Sequence, residues 1–381
     1  MPTLGLSQIV KNEAHVIERM LNTISPILDY VAIVDTGSTD GTQDIIRNYC
    51  KERNIPCEVI DRPFDNFENS RNAAMQLLGQ KTDYGIWLDA DEQIVVDPKF
   101  DKKKMDKDLY MITTYIGSMK YTRNEMWNTR KPFRWYGPCH EFIVCDEQNL
   151  TSGIMEGLSV QVQMDGGSWK GDVSEKYRKH SQLFEDYIQK DKNSRWLFYT
   201  AQSFHDSACV PNNKTENEER LRRSLNYYKE RINRTDGYEE ERYYAQFRVG
   251  TIMLTMEEPW TKVQQELLKA YAMDPLRAES IKVIIDYYHR VGEWNMAYLY
   301  SKFAKTTFHG NNPYPKKILF VDEQLYNWRF LEAHAASCFY TGRKEEAKTT
   351  YQELVKTMNQ NPQSFNDQDR QKIATNAQYF I

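Results

Sequence analysis

Within its first hundred residues the chain alternates short apolar runs with helix-period segments, and that alternation leaves few folds open. Leu4–Val10, Tyr30–Val34, Cys57–Ile60 and Tyr84–Leu88 read as buried strands. Between them, Glu13–Ile27, Thr42–Arg53 and Asn69–Leu78 read as helices; the first repeats Val16, Met20, Leu21 and Ile24 at helical spacing. Strands joined through helices pair in parallel by right-handed crossovers, so an open, mostly parallel α/β sheet is expected.

From Leu109 to about Val162 the pattern changes to mixed short strands (Tyr110–Thr114, Phe142–Val144, Ser159–Gln163), the half expected to receive a second substrate. After Asp172 the chain reads as helical throughout. Trp196–His205, Tyr243–Met256, Ile281–Val291 and Phe330–Tyr340 share a loose pattern of aromatic and small residues, with Gly292 and Gly342 closing the later ones. The spacing wanders, so the expectation is a degenerate, tetratricopeptide-like array of helical hairpins. Its charged stretches, Glu216–Arg223 and Glu239–Arg242, read as solvated helix faces. The expected division is 1–170 for the α/β domain and 171–381 for the all-α domain.

Composition narrows the function. A net charge of −4 lacks the basic footprint of a dedicated nucleic-acid binder. Six scattered cysteines with no C-x-x-C pair read as reduced thiols of a cytoplasmic protein, indicating neither a zinc site nor a disulfide framework. The N-terminus lacks a basic, then apolar, leader, and no apolar run approaches the roughly 18–20 residues that span a bilayer.

Several residue groups can carry chemistry. Asp35-Thr36-Gly37-Ser38-Thr39-Asp40-Gly41-Thr42 lies where a parallel strand meets a helix, the edge at which such sheets bind ligands. Asp35 there can accept from a base N–H or a ribose hydroxyl, although turn and capping chemistry explains the same residues. Asp89-Ala90-Asp91-Glu92 clusters acids straight after an apolar strand, which invites a hard divalent ion such as Mg²⁺ or Mn²⁺ that bridges to phosphate. Arg71, in Ser70-Arg71-Asn72, has the planar fork that suits a diphosphate, and a surface ion pair is the plain alternative. His140-Glu141 in an aromatic, Gly-containing loop can supply a general base or a metal ligand, or serve structure alone. Asp165-Gly166-Gly167 offers a further carboxylate or a simple turn, and Lys176 and Arg178 offer charge to a phosphate or to a helix start.

In order and spacing, Ser7-Gln8-Ile9-Val10-Lys11-Asn12-Glu13, Ile33–Thr42, Ser70-Arg71-Asn72 and Trp87–Glu92 resemble the family 2 glycosyltransferases of the GT-A fold. Tyr136–Glu141 is similar to the Gly-x-x-His-Glu segment of the branch with helical repeats after the catalytic domain, and Leu268–Tyr271, Arg277–Glu279 and Leu319–Tyr326 are similar to its tails. The resemblance implies that Ile9, Val10 and Glu13 flank the nucleoside and that Asp35 contacts base or ribose. It places Arg71 near the diphosphate, Asp89 and Asp91 at a metal–diphosphate, and Glu141 as the base that deprotonates the acceptor. Many relatives carry two adjacent acids where this chain has Asp35-Thr36. They often place a His where Met164-Asp165 stands, so Asp165 is expected as a substitute metal ligand.

The implied reaction is an inverting transfer from a nucleotide-diphosphate sugar, assisted by Mn²⁺ or Mg²⁺, to a hydroxyl of a glycan or lipid-linked glycan. A protein side chain and a hydroxylated nucleobase in DNA remain alternative acceptors. Of two rival classes, a nucleotidyltransferase lacks its Gly-rich, basic loop after the first strand. A non-catalytic helical scaffold with a relic nucleotide domain conflicts with the intact acidic motif.

Overall fold

The computed structural model describes residues 1–117, 119–167, 172–209, 213–313 and 316–380. The chain divides into two compact units, Met1–Lys192 and Asn193–Ile381.

The first unit opens with β1 (Leu4–Val10), α1 (Ile17–Ile24), β2 (Tyr30–Asp35), α2 (Thr42–Glu52), β3 (Cys57–Asp61), α3 (Phe67–Leu78) and β4 (Tyr84–Ile86). It continues through β5 (Glu92–Val96), β6 (Leu109–Ile116), β7 (Met119–Asn128), β8 (Arg134–Tyr136), β9 (Phe142–Val144), β10 (Ser152–Val162) and α4 (Val173–Ile188). Its mixed sheet has the order β3-β2-β1-β4-β7-β6-β10-β5, while β8 and β9 form a separate antiparallel pair. The β3-β2-β1-β4 stretch is parallel, as strand–helix alternation requires, and β7 then turns the sheet antiparallel. Each face has its own core. Leu4, Leu6, Val31 and Ile33 pack with Ile17, Met20, Leu21 and Ile46 on one side. Ala32, Met75 and Leu78 pack with Trp87, Trp127, Trp135 and Ile143 on the other.

The first helix starts at Ile17, later than its apolar periodicity suggests. Asn12 takes a left-handed φ of 57°, and the next amides turn away from helix formation. Glu13 N–H donates to Thr42 Oγ1 (2.9 Å) and Ala14 N–H to Asp40 Oδ2 (3.0 Å), which stitches the loop after β1 to the loop after β2. Strand β7 escapes the hydrophobic pattern because polar Lys120, Arg123 and Asn124 interrupt it.

The second unit contains α5 (Ser194–Asp206), α6 (Lys214–Asn233), α7 (Glu239–Thr255), α8 (Trp260–Met273), α9 (Glu279–Val291), α10 (Trp294–Phe308), α11 (Phe330–Tyr340), α12 (Lys344–Gln360) and α13 (Asp367–Asn376). From α5 to α12 each helix packs on the next, giving the expected array of hairpins. Gly292 ends α9 in the left-handed region (φ 76°), the conformation that a C-terminal cap demands. No helix among the described residues is long and apolar enough to cross a membrane.

The charged stretch Glu239–Arg242 is not the solvated face its composition suggested. Glu241 is buried and pairs with the fully buried Arg231 at 3.1 Å. Glu240 accepts from the backbone N–H groups of Ile318 (3.0 Å) and Leu319 (2.9 Å). Arg277, also fully buried, pairs with Glu279 at 2.8 Å and donates to the carbonyls of Leu319 and Phe320. These acids answer buried arginines and loop amides, so charge alone misreads them. Removing one partner of such a pair strands a buried charge. Glu279→Ala is therefore expected to destabilise the protein by about 3–5 kcal/mol, read as a lower urea midpoint, whereas Glu218→Ala on the exposed side of α6 should change it little.

Candidate functional site

The loops after β1, β2 and β4 meet at the carboxyl edge of the parallel strands, where an open sheet leaves a crevice. Asp35 ends β2 with no exposed surface. Its Oδ1 accepts from Gly37 N–H (2.8 Å) and Ser38 N–H (2.7 Å), shaping the loop. Its Oδ2 is buried without a hydrogen-bond partner, and so are both amide atoms of Gln8 beneath it on β1. A buried acceptor left open in this way is costly unless a ligand answers it. Asp40 takes the structural part of the motif: it accepts from Thr42 N–H (3.1 Å) and Thr42 Oγ1 (2.6 Å) at the start of α2.

Arg71 is the hub of the site. It projects from α3 with its side chain 8% exposed and lies against two indoles packed edge to face, its guanidinium carbon 4.6 Å from the Trp87 ring and 5.0 Å from the Trp135 ring. One nitrogen donates to Asp89 Oδ1 at 2.8 Å, and Nε donates to Glu141 Oε1. A single cation thus joins the acid after β4 to the acid before β9. Asn72 fixes the neighbouring strand: its side chain donates to the Trp135 carbonyl (3.0 Å) and accepts from Trp135 N–H (2.8 Å). Glu68, one turn earlier, accepts from Gly137 N–H at 2.9 Å. The Ser70-Arg71-Asn72 segment therefore positions the loop that carries Glu141.

A second arginine, partly buried, also packs on Trp87. Arg123 sits 4.5 Å from that ring and bonds Glu92 (2.9 Å) and Glu125 (2.8 Å). Burial pushes the Glu125 carboxyl up to about 8. Glu92 in turn accepts from Asp89 N–H at 3.0 Å, which fixes the acidic turn. The sequence reading missed Trp87, Trp135, Arg123 and Glu125. The last two lie in β7, a strand that the apolar pattern does not announce.

Asp91 is buried, and its Oδ2 accepts from Gly166 N–H at 3.4 Å. Burial, then repulsion from Asp89, raises its proton affinity. Burial likewise raises that of Glu13, whose carboxylate accepts from Gly167 N–H at 2.9 Å. Both glycines permit close approach: a Cβ on Gly166 would crowd Asp91 Cγ at 3.0 Å, and one on Gly167 would crowd Glu13 Oε1 at 2.9 Å. Asp89, by contrast, is held below the usual carboxylate range; desolvation opposes ionisation, and Arg71 and Arg123 outweigh it.

Not every expected residue joins this set. The Asp165 carboxylate, expected as a metal ligand, forms a two-bond fork with Arg19, the longer bond at 2.7 Å. Among the described residues, Asp89, Asp91 and Asp165 do not gather into a three-ligand cluster. Val10 turns its side chain into the core and offers only its carbonyl, which accepts from Thr36 N–H at 2.9 Å; Ile9 is half-buried. Arg178 pairs with Glu175 at 3.4 Å on its own helix. Lys176 is close enough to Asp89 and Asp91 for their charges to act on it, yet burial lowers its proton affinity. His140 has a left-handed φ of 49°, and its ring stacks on Phe184 at 5.9 Å. Behind it, burial pushes the Cys139 thiol up to about 12 and the His180 imidazole down to about 4.

The electrostatics of Asp91 set a test. A carboxyl with raised proton affinity in the folded state contributes more stability at low pH and loses it as pH rises. In metal-free protein, Asp91→Asn should therefore melt above the wild type at pH 7.5, and the gap should narrow as pH falls through the carboxylate range. Thermal melts between pH 4 and 8 measure this directly.

Residues 9–140 match the family model described as Glycosyl transferase family 2. The chain is 24% identical over 241 residues to the SPbeta prophage-derived glycosyltransferase SunS of Bacillus subtilis, an alignment covering 60% of this chain and 54% of that protein. It is 26% identical over 152 residues to the TPR repeat-containing protein Synpcc7942_0270 of Synechococcus elongatus, covering 38% of this chain and 36% of that one. It thus spans about half or less of the curated relatives it matches. Among solved structures, S. aureus TarS 1-349 in complex with UDP-GlcNAc overlays with a TM-score of 0.34 and 12% identity, covering 76% of this chain and 92% of that one. The segment similar to Glycosyl transferase family 2 holds most of the parallel β3-β2-β1-β4 edge and the acidic turn after β4, and helices follow it in the chain.

Proposed function

We propose that the chain transfers a sugar from a nucleotide-diphosphate sugar to an acceptor hydroxyl in one inverting displacement. The observation that carries this reading is the Asp89–Arg71–Glu141 bridge, which ties an acid suited to the donor side to an acid suited to the acceptor side. The open Oδ2 of Asp35 suits a base N–H or ribose hydroxyl. Arg71 and Lys176 supply positive charge for the diphosphate, and Glu13 braces the loop beside it.

The residues present fit a hard divalent ion. Asp91 is a buried oxygen donor whose negative charge is raised in energy by burial and by Asp89, a penalty a cation would offset. With Asp165 committed to Arg19, Asp91 would hold Mn²⁺ or Mg²⁺ with help from Asp89 and the donor phosphates, the usual sharing for such ions. When bound, the ion supplies Lewis-acid stabilisation of the departing diphosphate.

The acceptor oxygen forms its bond to the anomeric carbon as the bond to the diphosphate oxygen breaks, and the acceptor proton passes to Glu141. Because Oε1 of Glu141 accepts from Arg71, Oε2 is the oxygen assigned to that proton. A glycan or lipid-linked glycan hydroxyl is the favoured acceptor. Protein side chains suit the helical array as a second class, and a hydroxylated nucleobase is a third.

A panel of sugar nucleotides, screened with Mn²⁺ and Mg²⁺ for thermal stabilisation and slow hydrolysis, tests the donor assignment. At least one donor should stabilise the wild type only with metal, and Asp91→Ala should abolish that effect. Glu141→Gln should keep the stabilisation and lower transfer about 10²–10⁴-fold. A protein indifferent to every sugar nucleotide with either ion contradicts the proposal.

A further inference from the structure

Immediately before Glu141 the chain carries Cys139 and His140, and α4 brings His180 against them. One ligand atom from each of the three lies within 4.8 Å of the others. Cys139 Sγ is 3.7 Å from His180 Nδ1 and 3.8 Å from Nε2. In a tetrahedral zinc site, bonds of about 2.3 Å to sulfur and 2.0–2.1 Å to nitrogen place S and N about 3.6 Å apart. The Cys139–His180 spacing is therefore close to that of two ligands in one coordination shell, with the His140 ligand atom within 4.8 Å of both. The rings of His140 and His180 meet edge to face with centroids 6.0 Å apart. Cys139 is 5% exposed and both histidines are half-buried, so the cluster is held by packing.

We infer that Cys139, His140 and His180 form a binding site for a soft divalent cation of the zinc class, distinct from the carboxylate site at Asp91. A thiolate and two imidazoles favour such an ion over Mn²⁺ or Mg²⁺, which take oxygen ligands. On binding, the Cys139 S–H bond breaks, its proton leaves to solvent and its electron pair goes to the metal. The fourth position is left to water. The ion fastens the segment carrying Glu141 to α4, so Cys139 and His140, two and one places before Glu141, and His180 on α4 are positioning residues. Lys176 lies one turn before His180 on α4, and its positive charge is offset there by the thiolate.

The test uses the full chain stripped with a chelator and titrated with Co²⁺, whose thiolate charge-transfer absorption reports a sulfur ligand. The wild type should bind one equivalent with that band and with intense tetrahedral visible bands, and Zn²⁺ should erase both. Cys139→Ser should abolish the charge-transfer band, and His180→Gln should weaken Co²⁺ affinity at least about 100-fold, with circular dichroism confirming that both remain folded. If Cys139→Ser fails to fold, His180→Gln alone decides. A wild type without the band, a band that survives Cys139→Ser, or unchanged affinity in His180→Gln overturns the site. The readout does not involve sugar transfer, so it stands or falls independently of the proposed activity.

Discussion

Arg71 is the interaction on which the arrangement of the site depends. A guanidinium so deeply buried carries a large desolvation cost, which only close counter-charges and favourable ring faces offset. Here Asp89, Glu141, Trp87 and Trp135 provide all of these together. The consequence is geometric. Two carboxylates that lie 52 positions apart in the chain are fixed to one rigid fork, and neither can drift without exposing a buried charge. Arg123, Glu92 and Glu125 repeat the device against Trp87, and Glu92 braces the acidic turn after β4 through the Asp89 N–H.

A second constraint acts at the rim. Gly166 and Gly167 bring backbone N–H groups against Asp91 and Glu13, approaches that a side chain at either position would crowd. Arg19 meanwhile holds Asp165 outward. The same short loop thus supplies donors to the buried Asp91 and the half-buried Glu13 and commits its own carboxylate to Arg19. That division of labour follows from local backbone geometry, and a search for spare acids would miss it.

The parallel half of the sheet was legible because β1, β2 and β4 are buried on both faces, so apolar runs such as Leu4–Val10 stand out from the helices between them. Asp35, Asp89 and Asp91 stood out in the sequence because they follow apolar strands at the edge where open sheets bind ligands. β7 was hidden by charges that serve the interior, with Arg123 and Glu125 answering each other below the acidic turn. Glu240 and Glu241 misled for the same reason. The Cys139–His180 juxtaposition has no local spacing signal, since 41 positions separate residues that only the packing of α4 unites. Asp165 looked like a ligand because its partner Arg19 lies on α1, far away in sequence.

The most direct measurement is anomalous scattering from manganese in crystals grown with a nucleoside diphosphate. A single strong peak in direct contact with an Asp91 oxygen and the diphosphate, with Arg71 still joined to Asp89 and Glu141, is the predicted result. A peak that shuns Asp91, or a nucleotide bound away from Asp35, would contradict the proposed site.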